Sequence, residues 1–217
     1  GELRQKGKVA ELALGYGGGA NALITMGALK QGLTEAELPD IVTRWRAKSP
    51  KIIEFWNACD TAAKNAIIYG KTVTLSNGIS FEKTKGALLI HLISGRDLTY
   101  LFPKIGTNRF GGESIEYKGM AQTASVFTTL ETYGGKLVEN IVQAGARDCL
   151  GAAMMRLQAA GYQVVGHIHD EVIIDAPSKD PDATLKEIVR LMCKPTDWNK
   201  GLPLNADGFY SDYYKKD

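Results

Sequence analysis

Cysteine is scarce in this 217-residue chain, and so are histidine and net charge. The three cysteines, Cys59, Cys149 and Cys193, are odd in number, far apart and without C-x-x-C spacing. They argue against a disulfide framework or a cysteine-based zinc site and favour reduced thiols in a cytoplasmic setting. No apolar run reaches the roughly 20 residues of a membrane span, and no signal-peptide pattern opens the chain. Histidine occurs only at positions 91, 167 and 169, which leaves few ligands for a metallohydrolase. A net charge of +2 does not by itself call for a polyanionic partner. There is no internal repeat and no low-complexity segment. The glycine cluster at residues 15–19 lacks the Gly-Lys-Ser/Thr ending of a phosphate loop and follows a helical pattern, so it reads as a helix stop.

Charge is uneven. Within the first eight residues Arg4, Lys6 and Lys8 face a single acid, Glu2. Residues 2–16 have helical apolar spacing, and Gly17-Gly18-Gly19 ends that helix because glycine releases the backbone. A second helix is expected over residues 20–31. Thr34 to Glu37 forms a capping box for a third, over about residues 35–48, and Pro50 opens a fourth that runs to Tyr69. From Lys71 the texture changes. Ser76-Asn77-Gly78 is a hairpin signal between β-branched runs, with further strands expected at 87–93, at 98–102 ending at Pro103, and at 114–117. Residues 120–160 read as one long helical stretch broken near Gly134-Gly135. Strands around Tyr162–Val165 and Val172–Ile174 flank an acidic tip, a helix covers 182–192, and a last strand is expected at 204–209. Helices, short strands, a long helix and a hairpin in that order predict an α+β fold.

Three features carry chemistry. Arg4 and Lys8 lie four apart on one helix face, with Leu12 and Tyr16 continuing the row, a cationic surface suited to a triphosphate. The plain alternative is a solvated helix face. Tyr16, where the helix runs into glycines, is placed to stack on a base. Gln143, among small residues in the long helix, can both donate and accept, as minor-groove reading requires. At the tip, Asp170 and Glu171 bring two carboxylates together, a costly choice unless a cation offsets their repulsion, and oxygen donors suit a hard divalent metal. A solvated turn is the alternative there. His167 and His169, two apart on a strand, would share a face and could with Asp170 make a zinc site.

Together these segments resemble the C-terminal part of the family A, or DNA polymerase I-like, DNA polymerases. Arg4-x3-Lys8-x3-Leu12-x3-Tyr16-Gly17 resembles the family's fingers motif, R-x3-K-x3-F/Y-x3-Y-G, and His169-Asp170-Glu171 resembles its palm motif, H-D-E. Gln143 stands where the family has a glutamine on an intervening helix. The resemblance spans nearly the whole chain, and its β-rich stretch and Glu139-Asn140-Ile141-Val142-Gln143 are closer to phage and prophage members than to the cellular repair enzyme. It implies that Arg4 and Lys8 bind the phosphates of an incoming deoxynucleotide, that Tyr16 guards the templating position, and that Gly17 gives the chain room to turn. Gln143 would contact the DNA minor groove and His169 the primer terminus. Asp170, assisted by Glu171, would hold Mg2+ in a two-ion site. The reaction implied is attack of a primer 3′-hydroxyl on the α-phosphate of a deoxynucleoside triphosphate, with release of pyrophosphate. Residues 1–118 would be fingers, including a β-containing excursion at about 71–118, and 119–217 the later part of the palm.

Two departures stand out. Leu12 replaces the family's phenylalanine or tyrosine. The family's D-x-S-x-x-E-type motif, which carries the other metal-binding aspartate ahead of the fingers, does not occur in these residues. The chain also opens directly in a charged helical pattern. It is therefore expected to be a fragment of a polymerase, inactive alone, not retaining its two Mg2+ ions and prone to self-associate through uncovered palm surface. A phage-type single-subunit RNA polymerase shares a similar helix and an H-D tip, but its tip usually continues with serine, where this chain has Glu171. A zinc hydrolase built on His167, His169 and Asp170, and a nucleic-acid-binding module without chemistry, remain as readings from other classes.

Overall fold

The structure, a computed structural model, describes residues 2–108, 111–121, 125–177 and 179–215. Among these residues it holds six α-helices, a six-stranded antiparallel sheet and a separate two-stranded hairpin, so the fold is α+β. The chain divides into two compact units, residues 1–142 and 143–217.

The first unit opens with α1 (Glu2–Leu14), α2 (Ala20–Thr25), α3 (Leu38–Lys48) and α4 (Pro50–Tyr69). Helix α1 buries Val9, Ala13 and Leu14 against Leu23, Leu38 and Val42 of the next two helices and Ala28 of the connection between them, leaving its opposite row in solvent. The expected helix at 20–31 is shorter, closing at Thr25 and followed by a 3-10 turn at Leu29–Gln31. The capping box forms: Glu37 Oε2 accepts from the Thr34 backbone N–H at 2.8 Å and from its hydroxyl at 2.7 Å. It holds a 3-10 turn at Glu35–Glu37, and the α-helix proper starts one residue later. Helix α4 runs from Pro50 to Tyr69 and ends on Gly70 in the left-handed conformation, φ 63°. Its buried stripe of Cys59, Ala62, Ala63 and Ala66 is small-sided, which lets the helix lie close against the sheet. Burial pushes the Cys59 thiol up to about 12, so it stays a protonated core residue.

The sheet is a meander of β1 (Val73–Thr74), β2 (Ser80–Lys83), β3 (Ala87–His91), β4 (Asp97–Thr107), β5 (Glu113–Met120) and β6 (Phe127–Thr132), each antiparallel to the next. Phe81, Leu88, Ile90 and Ile115 are its fully buried residues. In the first hairpin Gly78 takes φ 87° and Asn77 Oδ1 accepts from the Ile79 N–H at 3.2 Å. Four expectations are corrected. Strand β4 does not end at Pro103; it passes through it, because the register shifts between Leu101 and Lys104 and that bulge tolerates a residue without an N–H. Within the stretch expected to be helical, Met120 closes β5 and Phe127–Thr132 forms β6, whose β-branched run pairs residue by residue with β5. The long helix α5 (Gly134–Ala159) starts at the two glycines instead of breaking there. Finally, no strand forms at 204–209 among the described residues.

Glycine is required at the start of α5. A Cβ on Gly134 would collide with the Trp56 carbonyl oxygen, and one on Gly135 with the Tyr16 carbonyl oxygen, both backbone atoms that cannot swing away. In the second unit, β7 (Gln163–Ile168) and β8 (Glu171–Asp175) form the hairpin, and α6 (Pro181–Met192) follows. Asp180 caps α6 by accepting from the Ala183 N–H at 3.0 Å. Its other end is closed by Arg156 of α5, which donates to the carbonyls of Leu191 at 3.0 Å and Met192 at 3.2 Å.

Two stability outcomes follow. Gly135→Ala should lower the free energy of unfolding by about 1–3 kcal/mol, the usual cost of overpacking a closed site, as read by urea denaturation. The second concerns His91, whose Nδ1 lies 2.7 Å from Asp97 Oδ1 and Nε2 2.9 Å from Glu82 Oε2. The bond to Asp97 chiefly, then that to Glu82 and both charges, raise its pKa against a smaller opposing effect of burial. A raised folded-state pKa stabilises fully below the ordinary histidine value near 6.5 and is lost as pH rises through the folded value. Wild-type protein should therefore lose stability relative to His91→Gln between about pH 6 and pH 8, and parallel curves would contradict this.

Candidate active site

The first set of candidate residues lies on α1. Arg4, Lys8 and Leu12 are exposed, Leu12 by 49%, along a row about 12 Å long at 1.5 Å per residue. Among the described residues neither cation has an acidic partner. Glu11, three residues beyond Lys8, accepts instead from Trp45 Nε1 at 3.0 Å. The row is thus an uncompensated cationic face carried by a buried apolar one.

Past α1, which ends at Leu14, the carbonyls of the glycine-rich segment at 15–18 need donors that no regular element around them supplies. They come from elsewhere in the same unit. Trp56 Nε1 donates to the Gly15 carbonyl at 3.1 Å, the Tyr133 hydroxyl to Tyr16 at 3.3 Å, and Arg46 Nη2 to Gly18 at 3.2 Å. Trp45 stacks on Trp56 with centroids 6.0 Å apart and planes 10° from parallel. Gly17 takes φ 87°, and a Cβ there would sit 3.2 Å from the Tyr133 ring. The backbone of the half-buried Tyr16 is therefore pinned from three sides. Sequence reasoning singled out Tyr16 and Gly17 but missed Trp45, Arg46, Trp56 and Tyr133. Three tryptophans in the whole chain, two of them here, were the available hint.

The second set lies in the other unit. Ile168 pairs with Glu171, so His169 and Asp170 are the two central residues of a tight hairpin turn. His169 takes φ 52°, the left-handed region that such turns use and that a non-glycine residue enters at a cost. Asp170 and Glu171 are both exposed. His167 pairs with Val172 inside the ladder while His169 is in the turn, so the two histidines do not share a strand face as expected; the turn begins one residue too early. A bulge at Val165, between the Val164 and Gly166 pairs, adds a further irregularity.

Gln143 and Arg147 are exposed and one turn apart on α5. Arg147 Nη1 lies 3.2 Å from His167 Nδ1, and Nη2 lies 3.1 Å from Nε2. Among the described residues no three His, Cys, Asp or Glu side chains gather to hold a metal ion. His91, in β3, is occupied by Glu82 and Asp97. Asp170 and Glu171 are the right donor type for a hard cation, but two carboxylates fall short of a complete set. No helix among the described residues is long and apolar enough to cross a membrane.

Over 216 residues the chain is 51% identical to a DNA polymerase of Bacillus phage SP02, a match covering 99% of this chain and 33% of that protein. The chain thus spans about a third of the length of the curated relative it matches. No protein-family model matches it, and no solved structure does.

If the tip sacrifices stability for chemistry, His169→Gly should relieve the backbone and raise the free energy of unfolding by about 1 kcal/mol in a denaturant titration. A loss of stability would mean that His169 is there for packing.

Proposed function

We propose that these residues form the nucleotide- and DNA-binding part of a family A DNA polymerase of phage type. The observation that carries this reading is that the fingers-like helix, Gln143 and the His169-Asp170-Glu171 tip occur in order within a chain half identical to a phage DNA polymerase. Helices α1 to α4 are then fingers, and α5 with the hairpin belongs to the palm. Arg4 and Lys8, which have no acidic partner among the described residues, take the triphosphate through charge-assisted hydrogen bonds. The pinned backbone holds Tyr16 at the templating base, with Gly17 turning the chain behind it. Leu12 offers an aliphatic surface to the nucleotide in place of an aromatic ring. Gln143 reads the minor groove near the nascent pair, and His169 sits beside the primer terminus.

Two Mg2+ ions supply, when bound, charge stabilisation for the attacking and leaving oxygens of nucleotidyl transfer. Asp170, with Glu171 beside it, is the residue of this chain that would hold them. Because these carboxylates do not complete a two-ion site, synthesis requires the family's other metal-binding aspartate, whose D-x-S-x-x-E-type motif does not occur in these residues, and the chain alone is inactive. The substrates are a deoxynucleoside triphosphate and a primer–template, and the setting is the cytoplasm of the host cell. A phage-type RNA polymerase accounts less well for Glu171 after Asp170. A zinc hydrolase is disfavoured because the Arg147 guanidinium lies against both ring nitrogens of His167, where a metal would have to bind.

Primer extension with Mg2+ tests the reading. The purified 217-residue chain should incorporate nothing, whereas the natural protein that carries these residues should synthesise DNA. Asp170→Ala in that protein should lower synthesis by at least about a thousandfold with DNA binding retained, as expected when a transition-state charge loses its support. Lys8→Ala should weaken deoxynucleotide binding about tenfold, the size of one charge-assisted bond. Unchanged synthesis by the Asp170 variant would refute the assignment, and zinc retained stoichiometrically through purification would favour the hydrolase.

A further inference from the structure

Arg147 has no place in the roles above, yet its setting is unusual for a surface arginine. It is exposed, it is one helical turn beyond Gln143, and among the described residues its hydrogen-bonding partner is His167, not a carboxylate. A guanidinium only donates, and a neutral imidazole accepts at one nitrogen, so at most one of the two close contacts is a satisfied hydrogen bond. The ring therefore orients the guanidinium without neutralising it, and most of its five donors remain for another acceptor. Ordering such a long side chain in advance removes entropy that binding would otherwise cost.

One turn further along the same helix row stands Gly151, where a Cβ would meet nothing within 4 Å. Glycine inside a helix weakens it, and here no neighbour in the chain requires the missing side chain. An amide, a pre-oriented cation and a bare stretch of backbone thus follow one another on the row Gln143–Arg147–Gly151, about 12 Å long at 1.5 Å per residue. That combination suits a polyanionic strand lying close against the helix. From it we propose that Arg147, positioned by His167, is a phosphate contact for duplex DNA, with Gly151 the point of closest approach of the sugar–phosphate backbone. The proposal rests on the polymerase reading and extends it to a residue outside the three motifs.

Fluorescence anisotropy of a labelled primer–template, titrated with the 217-residue chain across a series of salt concentrations, tests it. Losing one phosphate contact should make the slope of log K against log salt shallower by about 0.9. Arg147→Ala should show that change and weaken binding about tenfold near 0.1 M salt. His167→Ala leaves the cation in place, so it should keep the slope while lowering affinity. Gly151→Leu should weaken binding by steric exclusion. Lys186→Ala, removing an exposed cation on α6, should bind like wild type. Circular dichroism confirms that each variant folds, and Arg147→Gln, which keeps the side chain's length, serves should the alanine variant not. A wild-type slope and affinity in both Arg147 variants overturn the proposal, as does an equal loss in Lys186→Ala or no DNA binding by the wild-type chain. The first two outcomes leave the polymerase reading standing. Conversely, a natural protein that fails to extend primers while Arg147→Ala still loses its phosphate contact overturns the polymerase reading alone.

Discussion

The capture of the carbonyls of Gly15, Tyr16 and Gly18, just past α1, is the constraint on which the first unit depends. A helix that ends in a run of glycines has unsatisfied acceptors and a backbone free to wander. Here Trp56, Tyr133 and Arg46 supply the missing donors from three separate elements. Gly134 and Gly135 complete the arrangement by letting the start of α5 come within contact of the Trp56 and Tyr16 carbonyls. The consequence is that a flexible-looking sequence becomes a fixed corner, with the cationic row of α1 leading into it and Tyr16 at its apex. Lys64 pairs with Asp60 at 2.6 Å, and Asp60 in turn accepts from the Gly134 N–H at 3.1 Å, tying α4 into the same corner.

The hairpin shows the opposite economy. The turn is two residues long, its first residue takes a conformation that glycine would occupy more easily, and two acids stand exposed side by side. Local strain and like charge both count against stability, and their coincidence at one turn is what a site selected for chemistry would show. Next to it, Arg147 lies against His167, with no acid paired to it among the described residues. These two features give the second unit an acidic point and a cationic one within a short length of chain.

The parts of the fold that were readable from sequence are those with local punctuation. Helix α4 begins on Pro50 and ends before Gly70, and the Thr34–Glu37 capping box forms, because a residue's own φ preference or a hydrogen bond three residues away is sufficient. The Asn77-Gly78 turn and the β7–β8 hairpin are legible for the same reason. Residues 127–132 were misread as helix because a run of threonines and apolar residues carries no local mark of its partner; pairing with β5 decides its state. Pro103 looked like the end of a strand because the rule that proline stops a ladder assumes a regular one, and the bulge at Leu101–Lys104 removes that assumption.

The amino-acid sequence by itself determined the bounds of α4 between Pro50 and Gly70, the cationic row at Arg4 and Lys8, the acidic pair at Asp170 and Glu171, and the resemblance those motifs carry, since each depends on spacing within a few residues. The tertiary structure decided what satisfies the end of α1, where donor and acceptor are as far as 117 positions apart in the chain. It also decided that His169 falls in the turn, so that His167 is left to meet Arg147 instead of a metal. Such pairings depend on how whole elements pack, and the energy of closing a contact over a long stretch of chain is set by the fold and not by either residue alone.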